Sequence, residues 1–238
     1  MVVVLKVGGS VLTFKDRRER LNPKGLRSVA EALKGYGSPL VLVHGGGSFG
    51  HYYAELYGFG VRPSFEVNGV GRIRASMLRL NAMLVEELAK SGIECYTIQP
   101  VMLGRAKRLI LRLLRDGLIP VSFGDVVPSR GGYKILSGDD IVLKLSKLLK
   151  PERVVFAMDV NGVYRRLGGE LLKEVRLGSE VGFSKGGFDV TGGLKRKLSI
   201  AFRIAKMGVD VRFVSGLKSG ELLKALKGEE HLGTLVRV

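Results

Sequence analysis

The sequence predicts an α/β fold. Three observations point to it. Short apolar runs and glycine-marked stops alternate in a β-α-β rhythm along most of the chain. The first such run, Val2 to Val7, contains only Val and Leu apart from one lysine and reads as a buried strand. At 238 residues and 45% apolar composition the chain can bury a large core and is not disordered.

Taken in order, Val2 to Val7 ends at Gly8-Gly9-Ser10. Asn22-Pro23 then supplies an N-cap and a first-turn proline for a helix through Leu33, with Gly35 to terminate it. Leu40 to Val43 is the next strand. A helix starts near Ser48, after three glycines, and a longer helical pattern runs from about Gly71 to Lys90. Glu94 to Gln99 reads as a strand, Arg105 to Asp116 as a helix and Leu118 to Phe123 as a strand. Val126 to Leu136 forms a hairpin around Arg130-Gly131-Gly132. An N-terminal lobe closes there, at about residue 137, and a C-terminal lobe runs from about 138 to 238. It opens with a helix from Asp139 to Leu149, whose two leading acids suit the helix dipole. Arg153 to Met158 is a buried strand ending at Asp159-Val160-Asn161-Gly162, the kind of turn at which open sheets hold ligands. Residues 163 to 188 read as short strands and loop. A helix from about Gly193 to Met207, a strand from Val209 to Val214, a helix from Lys218 to Leu226 and a last strand from Thr234 complete the lobe.

Composition narrows the function. No apolar stretch reaches about 18 residues and the start lacks a signal-peptide layout, so a cytoplasmic protein without a membrane span is expected. One cysteine, Cys95, excludes an intramolecular disulfide and a Cys-based zinc site; it reads as a small buried residue on a strand. The net charge of +17 suits nucleic acid, an acidic surface or small polyanions. Its densest stretch, Arg105 to Arg115, interleaves Leu109, Ile110, Leu111, Leu113 and Leu114 as a solvated surface helix does, so nucleic-acid binding is not expected. One Gln, four Asn and many charges are a heat-adapted composition.

The chemistry concentrates in glycine loops at strand ends. His44-Gly45-Gly46-Gly47-Ser48-Phe49-Gly50-His51 follows a strand directly, and bare backbone there can surround an anion while His51 donates a hydrogen bond to a phosphate. Residues 45 to 50 also fit G-x-G-x-x-G, but the acid a dinucleotide site needs about 20 residues on is missing, since Glu66 lies in a loop. No P-loop motif occurs. Lys6-Val7-Gly8-Gly9-Ser10 places a lysine in a buried strand, where it is either an edge cation facing water or an anion ligand. Lys15 follows, and Asp189-Val190-Thr191-Gly192-Gly193-Leu194-Lys195-Arg196-Lys197 feeds a third loop into a helix. With Gly138, these loops imply one cleft for several phosphates.

In these elements, with Ser137-Gly138-Asp139-Asp140 and Asp159-Val160-Asn161-Gly162 in the same order, the chain resembles the amino acid kinase family. Phe49-Gly50-His51 after the glycines is not typical of the family's acetylglutamate, glutamate, aspartate and uridylate kinases. It is similar to the archaeal branch acting on isopentenyl phosphate, as are Ile98-Gln99-Pro100 and residues 189 to 195; fosfomycin kinases share the histidine. The resemblance implies a three-layer αβα sandwich with a mainly parallel central sheet, usually a homodimer, with ATP on the C-terminal lobe and the acceptor on the N-terminal lobe. It implies that Lys6, Val7, Gly8, Gly9, Ser10 and Gly47 border the ATP phosphates and that Asp159, Gly193 and Lys197 contact the nucleotide. Gly46, His51 and Gly138 would hold the acceptor phosphate, and Lys15 the transferring phosphoryl group. Asp139 and Asp140 either orient the lysines or serve the helix N-terminus alone.

The expected reaction is phosphorylation of isopentenyl phosphate by ATP with Mg²⁺. A phosphate monoester is already ionised near neutral pH, so no catalytic base is needed, and no residue is assigned to hold the metal. Ile73, Met77, Leu80 and Leu84, on one face of a helix, are either a pocket for an apolar tail or core packing. Alternatives are a kinase of another phosphate or phosphonate such as fosfomycin, and a ligand-sensing domain without turnover.

Overall fold

The computed structural model describes residues 2–165, 169–179 and 193–238. Eight strands form one sheet: β1 (Val3–Val7), β2 (Leu40–His44), β3 (Cys95–Thr97), β4 (Ile119–Phe123), β7 (Arg153–Met158), β8 (Glu174–Arg176), β9 (Asp210–Ser215) and β10 (Gly233–Arg237). Their order is β3-β4-β2-β1-β7-β9-β10-β8, and all neighbours run parallel except β9 and β10. The strands before residue 137 therefore spread to one side of β1 and the later ones to the other. Open α/β sheets bind ligands at such a reversal, outside the carboxyl ends of the strands.

Pleating sends alternate side chains to opposite layers. Val4, Val154, Phe156 and Phe213 face α5 (Lys107–Arg115), α6 (Gly138–Leu149) and α7 (Gly193–Ala205). Val3, Leu5, Val7 and Val155 face α2 (Pro23–Tyr36), α4 (Val70–Lys90) and α8 (Ser219–Lys227). In the first of these cores Phe156 and Phe213 are fully buried and stack with centroids 5.2 Å apart. This is the expected three-layer sandwich, continuous through both halves of the chain.

Local signals place most boundaries. The Asn22 side chain caps α2 by accepting from Gly25 N–H, Pro23 stands in its first turn, and Gly37, at φ +59°, ends it. That end comes two residues later than Gly35 suggests. Two short turns add to the expected elements. The sequence after β1 is not only a loop: Gly9–Leu12 make one helical turn, α1. The expected Arg105–Asp116 helix is α5, and an additional 3-10 turn over Pro100–Arg105 precedes it. Proline opens that turn because its fixed φ suits a first-turn position, where no N–H is needed. The hairpin β5 (Asp125–Ser129) and β6 (Gly132–Leu136) stands apart from the main sheet and is bridged by Ser64 at Tyr133. Cys95, on β3, is half-buried rather than buried, and burial pushes its thiol up to about 12, so it is no nucleophile.

Candidate active site

The floor of the cleft is a cation pair sharing one carboxylate. Lys6 lies on β1 between β2 and β7, so it is no edge-strand lysine, and it is only 7% exposed. Its Nζ is 3.2 Å from Asp139 Oδ1, and Lys197 Nζ, from α7, is 2.7 Å from Asp139 Oδ2. Burial pushes Lys6 down to about 8, with Asp139 opposing and Lys197 adding to the fall. Burial would raise Asp139, but the two lysines outweigh it and hold its carboxyl well below the usual carboxylate range. Two cations against one anion leave a net positive centre in a region screened from water, where an arriving polyanion is strongly favoured.

Asp140 has a different task. Ser137 caps α6 in a reciprocal box with Asp140, whose carboxylate accepts from the Ser137 hydroxyl at 2.6 Å. The same carboxylate accepts from Arg196 Nη2 at 2.8 and 2.7 Å, which ties α7 to α6 and so places Lys197 over Asp139. The acid pair thus both orients cations and serves the helix end. Orienting the lysines was one of the two readings open for Asp139, whereas Arg196 was given no role. The acids stand out in sequence, but only the fold brings residues 139 and 197 together.

The glycine loops interlock. A Cβ on Gly9 would sit 2.1 Å from Gly47 N, and one on Gly47, at φ +49°, would sit 2.0 Å from Thr13 Oγ1. Thr13 in turn donates to Gly9 O at 2.9 Å and accepts from Ser48 N–H at 3.0 Å. The turn after β1 therefore lies directly against the start of α3 (Gly47–Leu56), and any side chain would force them apart. Gly138 opens α6 beside them, with space for a Cβ only 3.4 Å from Lys6 Cε. Val7 is fully buried and can offer a ligand only its backbone.

His51, in the second turn of α3, is exposed at the rim of this cleft. Crowding by protein lowers its pKa, Lys6 and Lys197 lower it further, and Asp139 and Glu55 oppose them. The lowered pKa favours the neutral imidazole, which has one N–H to donate. His44 is different: it is fully buried, stacked on Phe123 at 5.5 Å, with ring nitrogens 3.1 Å from Gly45 O and 3.4 Å from Asn81 Oδ1. Burial lowers it to about 4, and it belongs to the core.

Lys15 lies on a strap, residues 14–21, that leaves α1 and crosses above α3. Its Nζ is 2.8 Å from Asp159, just past β7, and the Ser10 hydroxyl binds the same carboxylate. Burial would raise Asp159, but these contacts lower its pKa. The strap is pinned on both flanks. Arg18 bonds Tyr53 and lies 4.3 Å over the Tyr52 ring; Glu19 accepts from Ser76 at 2.8 Å and from Arg79 at 2.9 Å.

Beyond the glycine loops, Met77 lines the back of α3 so closely that a Cβ on Gly50 would be 2.7 Å from its sulfur. Ile73, Met77, Leu80 and Leu84 are all buried but belong to three separate apolar clusters, with Ile73 joining Tyr53, Phe59 and Val126. Arg74 reaches from α4 to the buried Asp125 and to Gln99, at 3.2 Å from the latter. Burial pushes Asp125 up to about 6 against the pull of Arg74. Among the expected residues, Lys6, Lys197, Gly46, Gly47 and Gly138 meet around Asp139 and α3, with His51 on the rim. Lys15, Ser10 and Asp159 form a second group beside them. Gly193 is the first residue of α7, whereas Thr191 and Gly192 lie outside the described residues.

The chain is similar in sequence and fold to known proteins. An isopentenyl phosphate kinase of Methanothermobacter thermautotrophicus is 33% identical over 99% of this chain and 98% of its own length. One from Arabidopsis thaliana is 35% identical over 84% and 73%. The crystal structure of a Thermoplasma acidophilum isopentenyl phosphate kinase product complex superimposes with a TM-score of 0.82 at 27% identity, covering all of both chains. The model of the amino acid kinase family matches residues 1–215, and the chain belongs to that family.

Proposed function

We propose that this protein is an ATP-dependent kinase that converts isopentenyl phosphate to isopentenyl diphosphate. The observation that carries the reading is the Lys6–Asp139–Lys197 centre at the foot of interlocked glycine loops, with His51 at its rim. It suits two polyanions brought end to end. An oxygen of the acceptor phosphate attacks the γ-phosphorus of ATP in line, a new P–O bond forms, and the bond to the β-bridging oxygen breaks, releasing ADP. Lys6, Gly8, Gly9, Ser10 and Gly47 border the ATP phosphates, and Asp159, Gly193 and Lys197 contact the nucleotide from the C-terminal half. Gly46, Gly138 and His51 hold the acceptor phosphate, and Lys15 steadies the phosphoryl group in flight. Positioning and charge neutralisation supply the catalysis.

Among the described residues no cluster of three His, Cys, Asp or Glu side chains could cage a metal, and Asp139 is committed to lysines. Mg²⁺ would enter with the nucleotide's own phosphates, whose charge it would neutralise. No helix among the described residues is long and apolar enough to cross a membrane. We place the reaction in the cytoplasm, where ATP is made, and expect a homodimer, twice the chain mass of 25.9 kDa in sedimentation. The decisive assay is ADP release from Mg·ATP with isopentenyl phosphate, fosfomycin, uridylate and acetylglutamate at equal concentration. Selective turnover of isopentenyl phosphate is expected; preference for another acceptor, or silence with all four, would overturn the assignment.

A further inference from the structure

The charge of +17 is unevenly placed. The layer of α2, α4 and α8 mixes signs: Glu31, Glu86, Glu87 and Glu221 stand among its cations, with Lys90 3.0 and 2.8 Å from Glu86 and Glu87 and Lys224 3.0 Å from Glu221. The opposite layer is nearly free of exposed acids. In α5, α6 and α7 with their caps, the only exposed acid is Asp116, 3.5 Å from Arg112. Asp139 and Asp140 are held in the cleft. On α5 Arg108, Arg112 and Arg115 stand at i, i+4 and i+7, one outward stripe of like charge, an arrangement that disfavours a helix by itself. Exposed Lys144 and Lys147 on α6, and Arg203 and Lys206 at α7, extend the positive face across three neighbouring helices.

Large aliphatic side chains stand exposed among these cations: Leu109 at 41%, Leu111 at 43% and Met207 at 42%. We propose that this layer docks on an anionic lipid bilayer. Guanidinium groups match phosphate oxygens in paired hydrogen bonds. Leu109, Leu111 and Met207 suit the boundary between headgroups and acyl chains. Among the described residues the three helices expose no aromatic ring on which a nucleic-acid base could stack, which favours lipid over nucleic acid. The Lys6–Asp139–Lys197 centre lies on β1 and the first turns of α6 and α7, whereas the exposed Lys144, Lys147, Arg203 and Lys206 lie further along or just beyond those helices.

Sedimentation with phosphatidylglycerol-containing vesicles and with pure phosphatidylcholine vesicles tests the proposal. The wild-type chain should partition onto the anionic vesicles alone, and added salt should release it. Arg108→Glu with Arg112→Glu should weaken partition by about tenfold or more. Leu109→Ser with Leu111→Ser should weaken it too, while leaving any affinity for a short DNA duplex unchanged. Kinase turnover without vesicles should match wild type in both variants, which separates lost docking from lost folding. No partition by the wild type, equal partition by the charge-reversed variant, or tighter binding to the duplex than to vesicles would overturn it.

Discussion

Lys6 holds a proton only narrowly. Its pKa of about 8 in the ligand-free site means that above this pH the lysine becomes neutral and the cleft loses one of the two charges around Asp139. kcat/KM reports the free enzyme, so it should fall as pH rises through about 8. A bound polyanion raises the lysine's pKa, so kcat should stay flat to higher pH. A kcat/KM that is level through pH 9 would show that Lys6 does not govern capture of the phosphates. His51 makes a different contribution. It has no structural hydrogen bond among the described contacts, and its ring N–H is available at the rim. His51→Ala should therefore leave the circular dichroism spectrum and melting temperature unchanged while turnover drops by roughly 10²–10³, the usual loss for a donor of this kind. Unaltered turnover would remove it from the acceptor site.

At the level of elements, the strap carrying Lys15 is the part most dependent on distant support. A lysine has four rotatable bonds, and residues 14–21 form no helix or strand that would aim it. Aim comes from Arg18 against Tyr52 and Tyr53 on α3 and from Glu19 against Ser76 and Arg79 on α4. Glu19→Gln combined with Arg18→Leu should lower kcat by roughly ten- to a hundredfold, since small misplacements of a charge at the reacting atoms are expensive. KM for ATP should change little, because the glycine loops and Lys197 do not touch the strap's outer flank. Equal losses in kcat and in thermal stability would instead mark the pins as structural. None of this support is legible in sequence. Asn22-Pro23, the triple glycine and the lone lysine in an apolar strand are local signals: the first opens α2, the second leads into α3, and the third is a lysine buried on β1. For Asp139 the sequence leaves two readings open, a helix-opening acid or an acid that orients the lysines. Its role depends on Lys6 and Lys197 arriving from β1 and α7, and no spacing rule joins three elements so far apart in the chain. The 3-10 turn over Pro100–Arg105 was not legible for a related reason: Pro100 signals a start as well as a break, and packing of Leu103 and Ala106 into the core decides which.

For the whole molecule, 39 Lys and Arg against 22 Asp and Glu mean that the folded chain repels itself. The ion pairs that exist are mostly on the surface and individually weak. Two kinds of anion should therefore stabilise it by separable routes. Sodium chloride screens the general repulsion, whose range is about 10 Å at 0.1 M salt. Raising it from low salt to about 0.5 M should lift the melting temperature by several degrees, given that about 1 kcal/mol corresponds to about 2–4 °C at this chain length. Pyrophosphate at millimolar concentration adds little ionic strength but can occupy the cleft between Lys6 and Lys197, and ligand saturation stabilises by mass action. Lys6→Met should abolish the pyrophosphate increment while keeping the sodium chloride one. A melting temperature that falls with sodium chloride would mean that surface pairs outweigh the net repulsion; a pyrophosphate increment that survives in Lys6→Met would place the strongest anion site elsewhere than the Asp139 centre.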